Sequence, residues 1–89
     1  MKTEFRKSFL KDIKRLGTDE KLLGRIGDII LEVEAAGEIH AIANLKKLKA
    51  EGSYYRIRSG NYRLGLIIDG DSVTFVRALR RSEIYRYFP

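Results

Sequence analysis

The sequence has no cysteine, a single histidine and no long apolar run. The lack of cysteine excludes a disulfide scaffold, a thiol nucleophile and a cysteine zinc site. One histidine, His40, cannot build a metal cluster and argues against a histidine-paired catalytic triad. No apolar run approaches the roughly 18–20 residues that a membrane-spanning helix needs, and the N-terminus has no apolar signal-peptide segment. We therefore expect a soluble, cytoplasmic protein that uses no metal and no cofactor.

The chain has 89 residues, of which 44% are hydrophobic and 34% are charged. This hydrophobic content is ordinary for a globular protein and argues against disorder. A chain of this length buries a modest share of its surface. We expect one domain over residues 1–89, with a two-layer core and little room for a deep pocket.

The net charge of +6 is concentrated in the second part of the chain. Residues 1–53 have a balance of +2, whereas residues 54–89 have a balance of +4. Every basic residue of the second part is an arginine: Arg56, Arg58, Arg63, Arg77, Arg80, Arg81 and Arg86. Arginine grips phosphate bidentately and stacks on bases, although it also tolerates strands and partial burial better than lysine. The pattern favours a polyanionic partner, either a nucleic acid or an acidic protein.

The first half of the chain predicts a helical hairpin. Ser8 is the expected N-cap of a first helix, which ends at Gly17. Thr18 or Asp19 is expected to cap a second, longer helix that Gly37 closes as a C′ residue. The apolar residues of both helices recur at the helical period: Phe9, Ile13 and Leu16 in the first, and Leu22, Leu23, Ile26, Ile29, Ile30 and Val33 in the second. Each helix therefore needs a surface to cover.

Residues 39–50 form a connector between the helices and the strands that follow. Leu45 and Leu48 are its expected apolar anchors. Its lysines are expected to face outward: Lys46, Lys47 and Lys49.

The apolar period changes from 3.6 to 2 after Gly52, which is typical of strands. Strands are predicted at residues 2–6, 54–58, 62–68 and 73–79. Tight turns are predicted at residues 59–61 and 69–71. The predicted fold class is α+β, with a short N-terminal strand and a helical hairpin packed on an antiparallel β-meander.

Strand alternation also predicts which face of the sheet carries the arginines. If Ile57 faces the helices, its neighbours Arg56 and Arg58 project from the opposite, open face. Arg63 on the next strand joins them, so three guanidinium groups are expected to converge. The register of the last strand stays open, because its apolar residues occur at both parities.

The stretch from Leu45 to Gly65 resembles a signature of the RelE/ParE family of bacterial toxins. It contains Tyr-Tyr-Arg-Ile-Arg at residues 54–58, followed by Gly60 and by Tyr-Arg at residues 62–63. The family's signature is similar, with the pattern YYRIR-x-G-x-YR. The predicted order of strand, helical hairpin and meander is also that of the family.

The C-terminal stretch resembles a second motif of the same family, HR-x-x-IYR-x-F. Here the chain reads Phe-Val-Arg at residues 75–77 and Arg-Ser-Glu-Ile-Tyr-Arg-Tyr-Phe-Pro at residues 81–89. One departure is that Arg80 stands where many relatives have histidine. His40 lies outside both motifs, so a reaction at this site would have to do without a motif histidine.

The resemblance implies a toxin that cleaves mRNA on the ribosome, inhibits translation and is neutralised by a cognate antitoxin protein. Cleavage by the 2′-hydroxyl of the RNA requires loss of the 2′ proton, stabilisation of a phosphorane and protonation of the leaving 5′ oxygen. The resemblance implies that Arg63 and Arg81 clamp the scissile phosphate. It also implies that Tyr85 exchanges the proton or stacks on a base. Further basic residues are expected to bind RNA or its phosphates: Arg56, Arg58, Arg80, Lys46 and Lys47.

Other functions and structural roles stay open. A relative that poisons DNA gyrase would need no convergent arginine–tyrosine site, and an inactive relative would only bind its antitoxin or RNA. Tyr85 could anchor the C-terminal segment, and Arg77 could pair with an acidic residue of the helices. Three further tyrosines could simply pack within the strands: Tyr54, Tyr55 and Tyr62.

Overall fold

A computed structural model describes residues 1–49 and 52–89 and confirms the predicted α+β fold class. Its elements are β1 (Lys2–Phe5), α1 (Lys7–Leu16), α2 (Glu20–Ala35), a 3-10 turn (Ile39–Ala41), β2 (Leu45–Lys47), β3 (Tyr54–Ser59), β4 (Tyr62–Asp69), β5 (Ser72–Arg80) and α3 (Arg81–Tyr87). The predicted connector thus contains a 3-10 turn and a short strand. Its last predicted residue, Ala50, lies outside the described residues.

The five strands form one sheet in the order β1-β5-β4-β3-β2. The strands from β2 to β5 are antiparallel neighbours, whereas β1 runs parallel to β5. The chain therefore crosses over through α1 and α2 between β1 and the meander. These two helices cover one face of the sheet, which we call the helical face.

The main core lies between the helical face and the two helices. Its fully buried side chains come from both layers: Phe9, Leu22, Ile26 and Val33 from the helices, and Ile57, Leu64, Leu66, Val73 and Phe75 from the strands. The apolar periods of the sequence predicted this packing for the helices, β3 and β4, but left open which residues of β5 face the core. No helix in residues 1–49 and 52–89 is long and apolar enough to cross a membrane.

The helix ends differ in part from the prediction. Asp19 caps α2 as expected, because its carboxylate accepts the N–H of Leu22 at 3.1 Å. Ser8 is not the N-cap of α1, since the helix begins at Lys7 and the Ser8 hydroxyl donates to the carbonyl of Val76. Gly37 is not a left-handed C′ residue either, because α2 ends at Ala35 and the following residue is extended.

A β-bulge settles the register of β5 that the sequence left open. Leu66 of β4 pairs with Phe75, whereas Gly65, one residue earlier, pairs with Arg77. The extra residue, Val76, changes the parity of the strand. Phe75 and Ala78 therefore both face the helices, although simple alternation would separate them.

Asp12 of α1 secures the part of β5 that extends beyond β1. Its carboxylate accepts hydrogen bonds from Arg77 Nε at 2.8 Å, from Arg77 Nη2 at 3.1 Å and from the N–H of Ala78 at 2.9 Å. The side chain of Asp12 is 1% exposed. The ion pair considered for Arg77 is thus confirmed, and the Arg77 guanidinium also lies 5.5 Å from the ring centre of Tyr87.

Candidate functional site

The face of the sheet opposite α1 and α2 carries the predicted arginines. Arg58 of β3 pairs with Arg63 of β4, and Arg56 pairs with Gly65. These residues alternate with Ile57, which packs in the main core. The predicted placement of three arginines away from the helices is therefore confirmed, and we call this surface the arginine face.

Arg63 is the most buried of these arginines, with 8% of its surface exposed. Its Nη1 donates to the carbonyls of Gly60 and Tyr62 at 2.8 and 2.9 Å. No carboxylate lies within 4.0 Å of it in the described parts of the chain. Burial, followed by the charges of Arg56 and Arg81, lowers the pKa of Arg63. A bound anion would supply the missing negative charge.

Arg56 is held beside Arg63 by the connector. Its Nη1 donates to the carbonyl of Asn44 at 2.9 Å, a residue with φ of 61°. Its buried Nε has no hydrogen-bond partner in the part of the chain that the structure describes. Arg58, in contrast, is exposed. The pair thus combines one guanidinium held by a backbone carbonyl with one that is exposed to solvent.

The helix α3 brings the C-terminal motif onto the arginine face. Two apolar side chains fix it there, because Ile84 is fully buried and Phe88 is 2% exposed. The Phe88 ring packs over Gly65, where an added Cβ would lie 2.7 Å from Phe88 Cδ2. Tyr54 meets the same ring edge-on, with 5.7 Å between the ring centres. The sequence predicted that this face is open, but the C-terminal segment covers part of it.

Docking of α3 places Arg81 and Tyr85 beside Arg63. The backbone N–H of Arg81 donates to the carbonyl of Asn61 at 2.7 Å, which ties the start of α3 to the β3–β4 turn. Tyr85 is 61% exposed, so it does not anchor the segment. It lies near enough to Arg63 to raise the pKa of that arginine, against the larger lowering by burial. We call Arg56, Arg58, Arg63 and Arg81 the arginine cluster.

Two of the predicted phosphate-binding residues lie on the other side of the sheet. Arg80 pairs with Tyr62, whose ring packs against the main core, and the Tyr62 side chain raises the pKa of Arg80. Lys47 pairs with Tyr55, which also packs against that core. Lys46 pairs with Arg56 and so belongs to the arginine face. The packing predicted for the strand tyrosines is thus confirmed.

The sequence analysis did not predict that one basic residue, Arg25, lies near the arginine cluster. Arg25 of α2 reaches the β3–β4 turn, where its Nη1 lies 3.1 Å from the position of an added Cβ on Gly60. Gly60 has φ of 57°, a left-handed conformation that suits glycine. Arg25 lies on the polar side of an amphipathic helix, so the helical period alone assigned it to solvent. Only the docking of α2 on the sheet shows its proximity to Arg58.

The side chains of the site are suited to holding an anion and have little capacity to remove a proton. Arginine remains protonated near neutral pH and therefore stabilises negative charge without acting as a base. Tyr85 supplies a hydroxyl beside the cluster. His40 lies in the 3-10 turn, where it is exposed and its Nδ1 is 3.9 Å from Glu38. Residues 1–49 and 52–89 contain no group of three side chains suited to holding a metal ion.

Comparison with known proteins identifies the family. Residues 3–85 match the family described as ParE toxin of type II toxin-antitoxin system, parDE. Toxin RelE3 of Methanocaldococcus jannaschii is 41% identical over 90 residues, which span 100% of both chains. The chain therefore belongs to the RelE/ParE family of type II toxins. As a member of this family, it is the toxin component of a toxin–antitoxin pair.

Solved structures share the same fold. The RelB-RelE antitoxin-toxin complex from Methanococcus jannaschii contains a chain that is 40% identical, with a TM-score of 0.78 over 97% of this chain and 99% of that one. The YoeB dimer from Staphylococcus aureus is 19% identical, with a TM-score of 0.72 over 91% of this chain and 97% of that one. At that lower identity the likeness concerns the fold alone.

Proposed function

We propose that this protein is a metal-independent endoribonuclease that cleaves mRNA on the ribosome and thereby inhibits translation. The observation that carries the proposal is the setting of Arg63. This buried guanidinium has cationic neighbours and an adjacent tyrosine, and no carboxylate lies within 4.0 Å of it among the described residues. Such a centre is suited to a phosphate group that gains charge during reaction.

The arrangement suggests a role for each group in cleavage. The 2′ oxygen of the RNA attacks phosphorus and loses its proton, while the 5′ oxygen leaves and takes up a proton. Arg63 and Arg81 stabilise the phosphorane, and the exposed Tyr85 hydroxyl exchanges the proton at the reacting oxygens. The products are a 2′,3′-cyclic phosphate and a 5′-hydroxyl. Because the cluster provides no ordinary general base, the rate depends on a ribosome that presents the mRNA ready for in-line attack.

The mapping of mRNA ends on translating ribosomes tests this function. We expect codon-phased cuts with the wild type and a loss of at least tenfold with Tyr85→Phe, which removes only an exposed hydroxyl. Arg63→Lys should lose activity even where a thermal melt shows a folded protein, because lysine cannot replace the planar guanidinium. Lys21→Ala, which removes an exposed charge on α2, is the matched control and should cut normally. Intact mRNA with double-strand DNA breaks would instead identify a gyrase poison, and the absence of growth arrest an inactive binder.

The proposed partner of the toxin is a cognate antitoxin that carries an acidic amphipathic helix. An apolar groove of about 370 Å³ lies between α1 and α2 beside the end of β1 and is lined by Phe5, Leu10, Ile13, Leu23, Gly27 and Ile30, among others. Leu10 is 54% exposed within it. Exposed lysines flank the groove along α1: Lys7, Lys11 and Lys14. Apolar lining with a cationic border fits a helix that has acidic residues beside its apolar stripe.

A heterologous antitoxin provides the first test of this surface. RelB of the Methanococcus jannaschii complex is the probe, because its toxin partner is 40% identical to this chain. We expect Leu10→Glu to weaken RelB binding at least tenfold. Leu31→Glu is the matched control, since Leu31 is 63% exposed on α2 but does not line the groove. Equal binding by the wild type and both variants would show that the groove is not the contact surface.

A further inference from the structure

A second concavity adjoins the arginine cluster. It lies between α2 and the β3–β4 turn, has a volume of about 500 Å³ and is lined chiefly by Arg25, Asp28 and Glu32 of α2 together with Asn44, Arg58 and Gly60. We call it the α2 groove. Its volume is within the range of about 300–1,000 Å³ that is typical of small-molecule sites.

The α2 groove and the arginine cluster share their walls. Arg58 belongs to both. The carbonyl of Asn44 accepts a hydrogen bond from Arg56, and the carbonyl of Gly60 accepts one from Arg63. The groove and the cluster thus adjoin at Asn44 and the β3–β4 turn, so an RNA strand bound to the cluster that passes around this turn would enter the groove.

The charges in the groove do not fit a site for phosphate alone. Arg25 and Arg58 can hold the backbone, but Asp28 and Glu32 would repel it. None of these four side chains forms an ion pair within 4.0 Å in residues 1–49 and 52–89. The two carboxylates are thus free to accept hydrogen bonds from a ligand that carries N–H donors.

Nucleobases differ in the donors that they offer to a carboxylate. Cytosine and adenine present an exocyclic amino group, and guanine presents an amino group beside a ring N–H. Uracil has no amino group, and its single ring N–H lies between two carbonyl oxygens that a carboxylate repels. In single-stranded RNA these base edges are exposed for recognition. The apolar side chain of Ile29, which also lines the groove, offers a surface for the face of the base.

We propose that the α2 groove is a nucleotide subsite in which Asp28 and Glu32 select a base with an exocyclic amino group and reject uracil, while Arg25 and Arg58 hold its phosphates. This inference rests on the proposed function, because it takes RNA as the substrate of the arginine cluster. It assigns base selection to α2, which the two sequence motifs do not include.

The binding of two matched oligonucleotides tests the subsite without cleavage. Cytidine and uridine hexamers with 2′-O-methyl groups cannot be cleaved. Cytosine has an amino group where uracil has a carbonyl, and its adjacent ring nitrogen lacks the hydrogen that uracil carries; the hexamers are otherwise identical. By fluorescence anisotropy at low ionic strength, we expect the wild type to bind the cytidine hexamer about tenfold more tightly, as one charge-assisted hydrogen bond allows. In the Asp28→Asn, Glu32→Gln double variant the preference should fall below about twofold. An amide can pair with either base, and so it removes the discrimination.

The hexamer-binding test has its own control and its own contrary outcomes, which differ from those of the cleavage assay on ribosomes. Glu20→Gln removes a carboxylate of α2 outside the groove and should leave the preference intact. Equal binding of both hexamers by the wild type, or absence of binding to either, would overturn the inference. A double variant that binds both hexamers more tightly by the same factor would also overturn it, since the carboxylates would then act only by repulsion. Because the hexamers are not cleaved, a failure of mRNA cleavage on ribosomes would count against the proposed reaction and not against base selection.

Discussion

Substitution of Gly65 by alanine should detach the C-terminal segment from the sheet. An added Cβ would lie 2.7, 2.8 and 3.0 Å from three ring atoms of Phe88, well inside van der Waals contact. The ring cannot move within its pocket, because Phe88 is 2% exposed and Tyr54 packs against it. Expulsion of a buried phenylalanine costs about 1.5–3 kcal/mol. For a domain of this size, a loss of about 2 kcal/mol lowers the melting temperature by about 10 °C.

A double-mutant cycle isolates the clash as the cause. Gly65→Ala, Phe88→Ala and the double variant are compared by urea unfolding and by thermal melts. Where the ring is already absent, the alanine at position 65 should cost nothing, which gives a coupling free energy of about 2 kcal/mol. Additive losses in the double variant would refute the reasoning. Gly65→Ala should also lose activity, because Arg81 and Tyr85 reach the arginine cluster only through the docked α3.

Three further predictions concern stability and binding. Gly24→Ala should stabilise the protein by about 1 kcal/mol in urea unfolding, because alanine favours the helix and an added Cβ meets no atom within 4 Å. An unchanged or lower urea midpoint would contradict this prediction. Asp12→Ala should lower the free energy of unfolding by about 3 kcal/mol in the same assay, because Arg77 and the N–H of Ala78 lose their acceptor. A loss below about 1 kcal/mol would show that water replaces the carboxylate. For a non-cleavable RNA hexamer, a plot of the logarithm of the binding constant against the logarithm of the salt concentration should have a slope of about −3, as four phosphate contacts of the arginine cluster predict. Arg58→Ala should reduce the size of that slope by about 0.7. A slope near zero would exclude phosphate binding by the cluster.

Much of the fold follows from local patterns in the sequence. Helical and strand periods placed the apolar residues of α1, α2, β3 and β4 correctly, because each pattern has a single surface to bury. The same alternation placed Arg56, Arg58 and Arg63 on the face away from the helices. The parallel pairing of β1 with β5 was not predicted, since a short strand carries no signal for its partner.

The errors have physical causes that can be named. The bulge at Val76 reverses the parity of β5. Gly65 lies at the same place on the neighbouring strand β4, but this glycine was not interpreted as the sign of a bulge. The connector was not predicted to contain a strand, so the opposite faces of Lys46 and Lys47 were missed. Arg25 was missed because its proximity to Arg58 depends on how α2 docks, which no local period encodes.

The small apolar cluster under α3 has a consequence for control of the toxin. It comprises Leu79, Ile84 and Phe88, and it is separated by the sheet from the main core. Release of α3 would expose these three side chains, whereas the main core on the opposite side of the sheet would stay packed. The arginines of the strands would stay in place, yet Arg81 and Tyr85 would leave them. The site is thus complete only while α3 is docked, and a ligand that competes for the position of Phe88 would separate Arg81 and Tyr85 from Arg63 while the main core stays in place.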